Sequence, residues 1–507
     1  MTGPDYRKAL EFHEATKHSY ASIRTAFHRL DWANKPHPFK TYEDLPSTRL
    51  PREIPKPMSR TLKNLAAAGG NRLSLESLAS LLYFTAGITR EVRYPDGVHY
   101  FRAAPATGAL YPTEVYVVAG DVDGLADGVY HFSPSRYALT CLRSGDYRGF
   151  LARHSLAEAG SSQASIVFTS IGWRNAWKYR ERSYRHWFWD SGVMLANLLA
   201  VCSSFGVESV VAAGFVDEAV NRLVAVDGLK EAAVVVAPLG RSVKPAAEHA
   251  VVEPMSPKVR PLSARERSYK LVEEMHLASC IHSVEELEAW RARAMQKREL
   301  RHEDGGGFEL KPADEAGPPL WETILRRGST RRFSRQPITL HQLSTILETA
   351  SQSLKTDFNG PHIDIYIIAH SVEGLPPGAY FHDGKNLKTL KRGEFRRVSG
   401  YLCLEQDLGS DAAAVFFFMA PLTDVLEKMG NRGYRVAQLE GGIRAGLAYL
   451  AAYMAGVGAT GLTFYDDEVR EFFSPHAGDK ENMLVVAVGH PAYRAKPGRM
   501  ILGVEDV

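Results

Sequence analysis

Cysteine is scarce in this chain. Its 507 residues hold four, Cys141, Cys202, Cys280 and Cys403, far apart and with no CxxC pair. That is too few for a disulfide framework. Long apolar runs are missing too: none reaches the ~18 residues that a membrane-spanning helix needs. The opening MTGPDYRKALEFHEATKH has no apolar core and does not read as a secretory signal. A marked charge imbalance is also absent. The net charge of +3 lacks the concentrated basic stripe of a nucleic-acid binder. No GxGxxG follows a strand, and neither a Walker loop nor a Ser-His-Asp setting is found. HLASCIH (His276–His282) groups His, Cys and His, but three ligands without a second cluster do not make a metal site. His13 and His18 read as structural. These absences suggest a reducing, cytoplasmic compartment, with no membrane, nucleic-acid or metal partner.

What is present is enough apolar material for two to four domains, with 45% hydrophobic and 23% charged residues. It is arranged as a repeat. EVYVVAGDVDGL (Glu114–Leu125) matches DIYIIAHSVEGL (Asp364–Leu375) at an offset of 250 residues. The same offset carries Tyr184-Arg185 onto Tyr434-Arg435, Gly192 onto Gly442, Gly206 onto Gly456 and Asp217-Glu218 onto Asp467-Glu468. LSLESLASLL (Leu73–Leu82) matches ITLHQLSTIL (Ile338–Leu347) at 265, so an intervening loop is 15 residues longer in the first copy. Each copy reads as helix, strand and hairpin, a second strand (Ser165–Ser170; Ala413–Met419), a long apolar helix and a closing strand (Ala232–Gly240; Met483–His490). The long helices, DSGVMLANLLAVCSSFG and EGGIRAGLAYLAAYMAG, are apolar nearly all round, which implies burial on several sides. Each ends at a glycine placed as a C-cap. They read as core helices and as partners across an interface between the copies. Residues 1–60 form an extension with helix signals in Tyr6–Arg29 and a Pro-rich stretch in Pro36–Pro57. Residues 61–245 are the first repeat domain, 246–319 a connector and 320–507 the second. Ala264–Arg298 in the connector reads as helical, and the Gly/Pro/acid-rich His302–Pro319 as a mobile linker.

Four segments together resemble the nitroreductase superfamily, in particular its SagB-type, azoline-dehydrogenase-like branch. RAAPATGALYPTEVYVV (Arg102–Val118) is similar to that branch's P-S-x-G-A-L-Y-P-x-E-V-Y signature, with Ala106 in place of the serine. KYRERSYRHWFWDSG (Lys178–Gly192) is similar to its K-Y-x-x-R-x-Y-R motif. RRGSTRRFSRQPIT (Arg326–Thr339) resembles the superfamily's R-R-S-x-R-x-F opening, with Gly328 inserted. FHEATKHSY…LDWANKP resembles the branch's N-terminal extension. The resemblance implies an α+β fold, a mostly antiparallel sheet wrapped by helices. Here two tandem FMN-dependent nitroreductase-like domains would form an intramolecular pseudo-dimer with FMN at the seam. The family's opening arginines and serine hold the flavin phosphate, and its P-S-x-G-type loop reaches the flavin from the partner subunit.

The two copies are depleted in opposite places. Copy one has PATGALYP, where copy two has the shorter LKTDFNGPH (Leu354–His362). Copy two has RRGSTRRF, where copy one has LAAAGGNRL (Leu65–Leu73). One seam would therefore be complete and the other would lack both parts, giving one flavin site per chain. By resemblance, Arg327, Ser329 and Arg331 hold the phosphate, with Arg494 and Lys496 as further candidates. The arginine fork suits that role because its donors are planar and permanently charged. Pro105, Ala106, Thr107 and Gly108 approach the ring, as does the turn at Gly461. Lys178 and Tyr179 are the catalytic candidates, since either could take the proton that accompanies hydride loss. Copy two reads Lys428-Met429 there. Blander readings stay open: a solvated helix start at Arg327–Arg331, a tight loop at Pro105–Tyr111, and a surface lysine beside a packed tyrosine.

Three functions follow. The first is an FMN-dependent oxidoreductase that dehydrogenates a C–N or C–C bond of a peptide-like or heterocyclic metabolite. The second is an NAD(P)H-dependent nitro or quinone reductase. The third is a flavin-free scaffold that binds a substrate for another enzyme. The redox partner would be NAD(P)H or O2. Lacking its own dinucleotide domain, the chain would let a nicotinamide only visit the flavin. Both a monomeric pseudo-dimer and a dimer of chains are open.

Overall fold

Each copy is built on an antiparallel sheet whose central strands are apolar on both faces, as strands covered on both sides must be. In copy one the spatial order is Ser47–Arg49, Ala138–Ser144, Gly128–Ser133, Thr113–Ala119, Ala164–Ile171 and Glu231–Leu239. In copy two it is Gly458–Leu462, Glu481–Gly489, Ala414–Ala420, Asp364–Ala369, Gly378–His382, Asn386–Arg392 and Phe308–Glu309. The central pairings repeat: Glu114 stands opposite Thr169, and Asp364 opposite Met419. The computed structural model describes all residues except 1–2, 26–27, 67–68, 96, 249–250, 297–306, 312–316 and 505–507. Most of the linker expected at 302–319 lies outside the described residues. Among the described residues, no helix is long and apolar enough to cross a membrane.

The matched leucine segments start with the same device. Ser74 accepts from the Ser77 amide and Thr339 from the Gln342 amide, each closing a capping box. The extra residues of copy one form a hairpin, Ile88–Tyr94 and Gly97–Arg102, which delivers Arg102 to the seam. The long helices begin earlier than their apolar runs suggest, at Ser183–Ser204 and Arg432–Met454. Gly206 and Gly456 follow their ends with φ of 62° and 80°, the left-handed cap that glycine adopts without strain.

These two helices cross at the heart of the molecule, glycine against glycine. A Cβ on Gly192 would lie 2.5 Å from the Leu439 carbonyl oxygen, and one on Gly442 would lie 2.6 Å from that of Trp189. The crossing is backbone against backbone, which is why this repeat position carries no side chain.

Arginine pairs flank the crossing with two-fold symmetry. Arg182 and Arg185 of copy one reach Asp466 of copy two at 2.9 and 2.7 Å. Arg432 and Arg435 of copy two reach Asp217 of copy one at 2.5 and 2.6 Å. All six side chains are buried. Asp217 and Asp466 each open a helix, Asp217–Leu223 and Asp466–Phe473. Asp217 therefore corresponds in role to Asp466 and not, as the fixed offset has it, to Asp467. The loop before the second helix is one residue shorter.

A short helix completes each cluster. In Arg7–Ala15 and the residue after it, the His13 carbonyl and Thr16 Oγ1 accept from Arg185 Nη2, both at 2.9 Å. In Lys270–Ala278 and the residue after it, the His276 carbonyl accepts from Arg435 Nη2 at 2.8 Å and Ser279 Oγ from Arg435 Nε at 2.7 Å. Tyr434 faces His13 Nδ1 as Tyr184 faces His276 Nδ1, at 3.4 and 3.3 Å. The segments align as YRKALEFHEAT (residues 6–16) and YKLVEEMHLAS (residues 269–279). The repeat thus reaches into the N-terminal extension, whose counterpart is the helical part of the connector. His276 is buried, its pKa lowered to about 3 by burial and by Arg435, and its ring nitrogens face Tyr184 Oη and the Gly228 carbonyl. His13 is likewise buried, and burial and Arg185 lower its pKa.

Candidate active site at the seam

The segment after helix Leu320–Arg326 of copy two runs against the end of the copy-one hairpin. Arg327 directs Nε to the Ala103 carbonyl and Nη2 to the Arg102 carbonyl, both at 2.9 Å, and is buried. Two of its donors thus join the copies. Ser329 hydrogen-bonds Tyr449, whose hydroxyl also accepts from the Gly461 amide. Ser329 and the turn at Gly461 are thereby linked through one tyrosine. Arg331 is exposed, and its charge reaches both Lys178 and Tyr179 of copy one. Its amide donates to Tyr493 Oη at 3.0 Å, and the Ala492 amide donates to the Arg332 carbonyl at 2.9 Å. The chain carrying Arg494 and Lys496, both exposed, therefore passes beside Arg331 and Arg332. The Lys496 carbonyl accepts from Arg90.

On the copy-one side the loop is bent sharply. Gly108, Ala109 and Tyr111 have φ of 62°, 54° and 49°. A Cβ on Gly108 would sit 2.7 Å from Tyr179 Oη, so glycine is what lets loop and tyrosine meet. Pro105, Ala106 and Thr107 are half-buried and Gly108 is exposed. The Thr107 amide and hydroxyl both donate to Asp190 Oδ1, at 2.8 and 2.7 Å. Asn175 Nδ2 donates to Asp190 Oδ2 at 3.1 Å. Burial pushes the Asp190 carboxyl up to about 6 against the bonds from Thr107 and Asn175.

Lys178 and Tyr179 close the short helix Gly172–Tyr179. Lys178 Nζ stands 5.2 Å from the Tyr179 ring centre. Partial burial and then the Arg331 charge lower the Lys178 pKa. Burial and then the Asp190 charge hold the Tyr179 phenol far above its ordinary value. His186 packs edge-on to Tyr179 at 4.6 Å, and burial keeps it neutral. Asp190, Asn175, His186 and Tyr449 were not singled out from the sequence. Asp190 had a usable signal: a lone carboxylate opening an apolar run, with Glu440 at the same place in copy two.

The opposite seam is built differently. Val211, the counterpart of Gly461, donates to the Lys355 carbonyl at 2.9 Å, and its own carbonyl accepts from the Asp357 amide at 3.0 Å. The Asp357 carboxylate accepts from the amides of Ala213 and Gly214, both at 2.8 Å. Trp290, on the connector helix Val284–Ala294, is buried against Gly214 so closely that a Cβ there would lie 2.3 Å from the indole. The shortened copy-two loop and a connector tryptophan pack here, and Leu354, Lys355 and Phe358 of that loop line a cavity of about 470 Å³ with Glu440 and Arg444.

The family model described as the nitroreductase family matches residues 61–241 and 324–490, one match per copy and more than half of the chain. The trifolitoxin-processing protein TfxB of Rhizobium leguminosarum bv. trifolii is 32% identical over 146 residues, 27% of this chain and 39% of that protein. The microcin B17-processing protein McbC of Escherichia coli is 29% identical over 165 residues, 31% of this chain and 58% of its own. The chain thus spans less than two thirds of either processing protein. The crystal structure of a "putative nitroreductase" from Anabaena variabilis matches with a TM-score of 0.75 at 26% identity, covering 97% of this chain and 100% of that one.

Proposed function

Since the chain belongs to the nitroreductase family, once in each copy, we propose that it is an FMN-dependent oxidoreductase with one composite flavin site. The observation that carries this reading is the contrast between the seams. One brings Ser329, Arg331 and Gly461 of copy two to Thr107, Gly108, Lys178 and Tyr179 of copy one. In the other, Asp357 ties the shortened copy-two loop to Ala213 and Gly214, and Trp290 packs on Gly214.

The residues fit the cofactor. Among the described residues the Arg331 side chain has no ion-pair partner, so a planar, permanently charged donor set is free at the mouth. Arg494 and Lys496 add charge beside it. Ser329, Arg331, Arg494 and Lys496 would hold the phosphate, and the Pro105–Gly108 loop with Gly461 the ring. FMN, when bound, supplies a hydride acceptor.

The chain's own residues divide the remaining work. Tyr179 stays a neutral phenol at ordinary pH, so it can donate a hydrogen bond but is a poor base. Lys178, with its pKa lowered, is the better proton acceptor. We assign the proton lost by the substrate to Lys178 Nζ and the orientation of the loop to Tyr179. The likeness to two peptide-processing proteins favours a peptide-like substrate and dehydrogenation at a C–N or C–C bond, with O2 or NAD(P)H as the redox partner.

The test is the absorbance spectrum of the purified protein, followed by release and quantification of flavin. One FMN per chain is expected. Two per chain would overturn the single site, and none after reconstitution would overturn the enzyme reading in favour of a scaffold. Steady NAD(P)H oxidation driven by a nitroaromatic would favour nitro reduction instead.

A further inference from the structure

The duplication supplies an internal comparison at Asp190. Its counterpart Glu440 also faces its own copy's loop: the His362 amide donates to Glu440 Oε2 at 2.9 Å. But Glu440 has a buried cation. Arg444, one turn on, donates to Glu440 Oε1 through Nε at 2.7 Å and through Nη2 at 2.6 Å. The residue in Arg444's place in copy one is Met194. Glu440 thus has a buried ion-pair partner, and among the described residues Asp190 has none.

The groups facing Asp190 come from three elements. Thr107 and Tyr111 lie on the loop, Asn175 and Tyr179 on the short helix, and His186 one turn back on its own helix. Both tyrosines and the histidine are uncharged there. The cations around them act on the tyrosines: Arg327 and Arg102 on Tyr111, Arg331 on Tyr179, with Lys178 over the Tyr179 ring. Among the described residues none forms an ion pair with Asp190.

We propose that Asp190 is a positioning residue whose ionised carboxylate fixes the Pro105–Tyr111 loop through Thr107 and loosens it on protonation. This rests on the flavin reading only for what the loop holds. Both Thr107 donors share one charged oxygen, and charge-assisted hydrogen bonds are roughly twice as strong as neutral ones. With no cation to hold the carboxylate ionised, mild acid weakens both bonds together. Burial, which has already pushed this carboxyl up to about 6, brings that change close to physiological pH.

Asp190→Asn is the variant to use. Its amide oxygen can still accept from Thr107. Asn175, whose Oδ1 has no partner, can turn to accept the new amide hydrogens, so the fold is kept. Hydrogen exchange at the Thr107 amide, corrected for intrinsic rates, is measured without flavin at neutral pH and at about pH 5. Wild type should lose protection in acid, and Asp190→Asn should sit at the acid level throughout. Riboflavin, which has no phosphate to titrate, is then bound to both proteins and followed by fluorescence quenching. Its affinity should fall about tenfold for wild type in acid and for the variant at both pH values. Superimposable exchange in wild type and variant at both pH values would overturn the proposal. Exchange as expected without riboflavin binding would support Asp190's role and count against the flavin reading alone.

Discussion

Arg180 sits directly after Lys178-Tyr179 with φ 50° and ψ −132°, a backbone conformation that a side chain resists. At the same point in copy two stands Gly430, with φ 64° and ψ −159°. Strain of this kind costs about 1–3 kcal/mol, while glycine costs about 0.4–1 kcal/mol through the unfolded chain. Arg180→Gly is therefore expected to stabilise the protein by about 1 kcal/mol, read from urea unfolding. Equal or lower stability would mean that the arginine's surface contacts outweigh the strain. Lys178→Met tests the assigned base: turnover should fall about 100-fold or more with flavin content unchanged. A base works only when deprotonated, so the wild-type rate should rise with pH through a midpoint below the ordinary lysine value. That limb should vanish in the variant. The motif residues were legible because loop and Lys-Tyr motif are short and contiguous. Asp190 was not, because its meaning lies in a contact with Thr107, 83 residues earlier. That Arg327 also joins the copies was hidden for a related reason: a sequence cannot show that two carbonyls will stand in front of a guanidinium.

At the level of elements the repeat was readable wherever burial fixes residue type. Strands Ala164–Ile171 and Ala414–Ala420 and the two long helices keep one offset because their packing leaves little choice. The first turns of those helices were missed because they are rich in arginine and tyrosine, which read as surface. In the structure these residues are buried in the two aspartate clusters. The equivalence of Arg7–Ala15 and Lys270–Ala278 was equally hidden, since what repeats there is mostly a carbonyl and a hydroxyl offered to an arginine. The helix crossing gives a direct test. Gly442→Val would press a side chain into the Trp189 carbonyl and should destabilise by about 3 kcal/mol or more, read as a lowered Tm. Gly456→Ala serves as a control, because nothing stands within 4 Å of its Cβ position and only the φ of 80° is strained. A Tm loss no larger in Gly442→Val than in this control would refute the close crossing.

For the whole molecule, the two aspartate clusters tie copy to copy. Removing one member leaves buried guanidiniums without a counter-charge, a loss of about 3–5 kcal/mol. Asp466→Asn and Asp217→Asn should each lower the unfolding temperature in a single transition that takes both copies down together. Two separated transitions would show that the copies fold independently. Both carboxyls are held below their ordinary value, Asp217 at about 2, by the paired arginines working against burial. Their contribution is complete above the unfolded carboxyl value of 3.8 and is lost as pH falls toward about 2. Acid should therefore unfold wild type steeply in that window, and the two variants less steeply.

The crossing of Ser183–Ser204 with Arg432–Met454 also changes how the protein responds to dilution. A pair of separate subunits meets at a rate set by concentration and comes apart when scarce. Here the halves share one polypeptide, so each meets the other at a fixed effective concentration whatever the number of molecules per cell. The seam holding Lys178 and Arg331 is therefore assembled in the first copy made and in the last one left. It also takes each mutation once: a change at Trp290 alters one seam and leaves the other as it was.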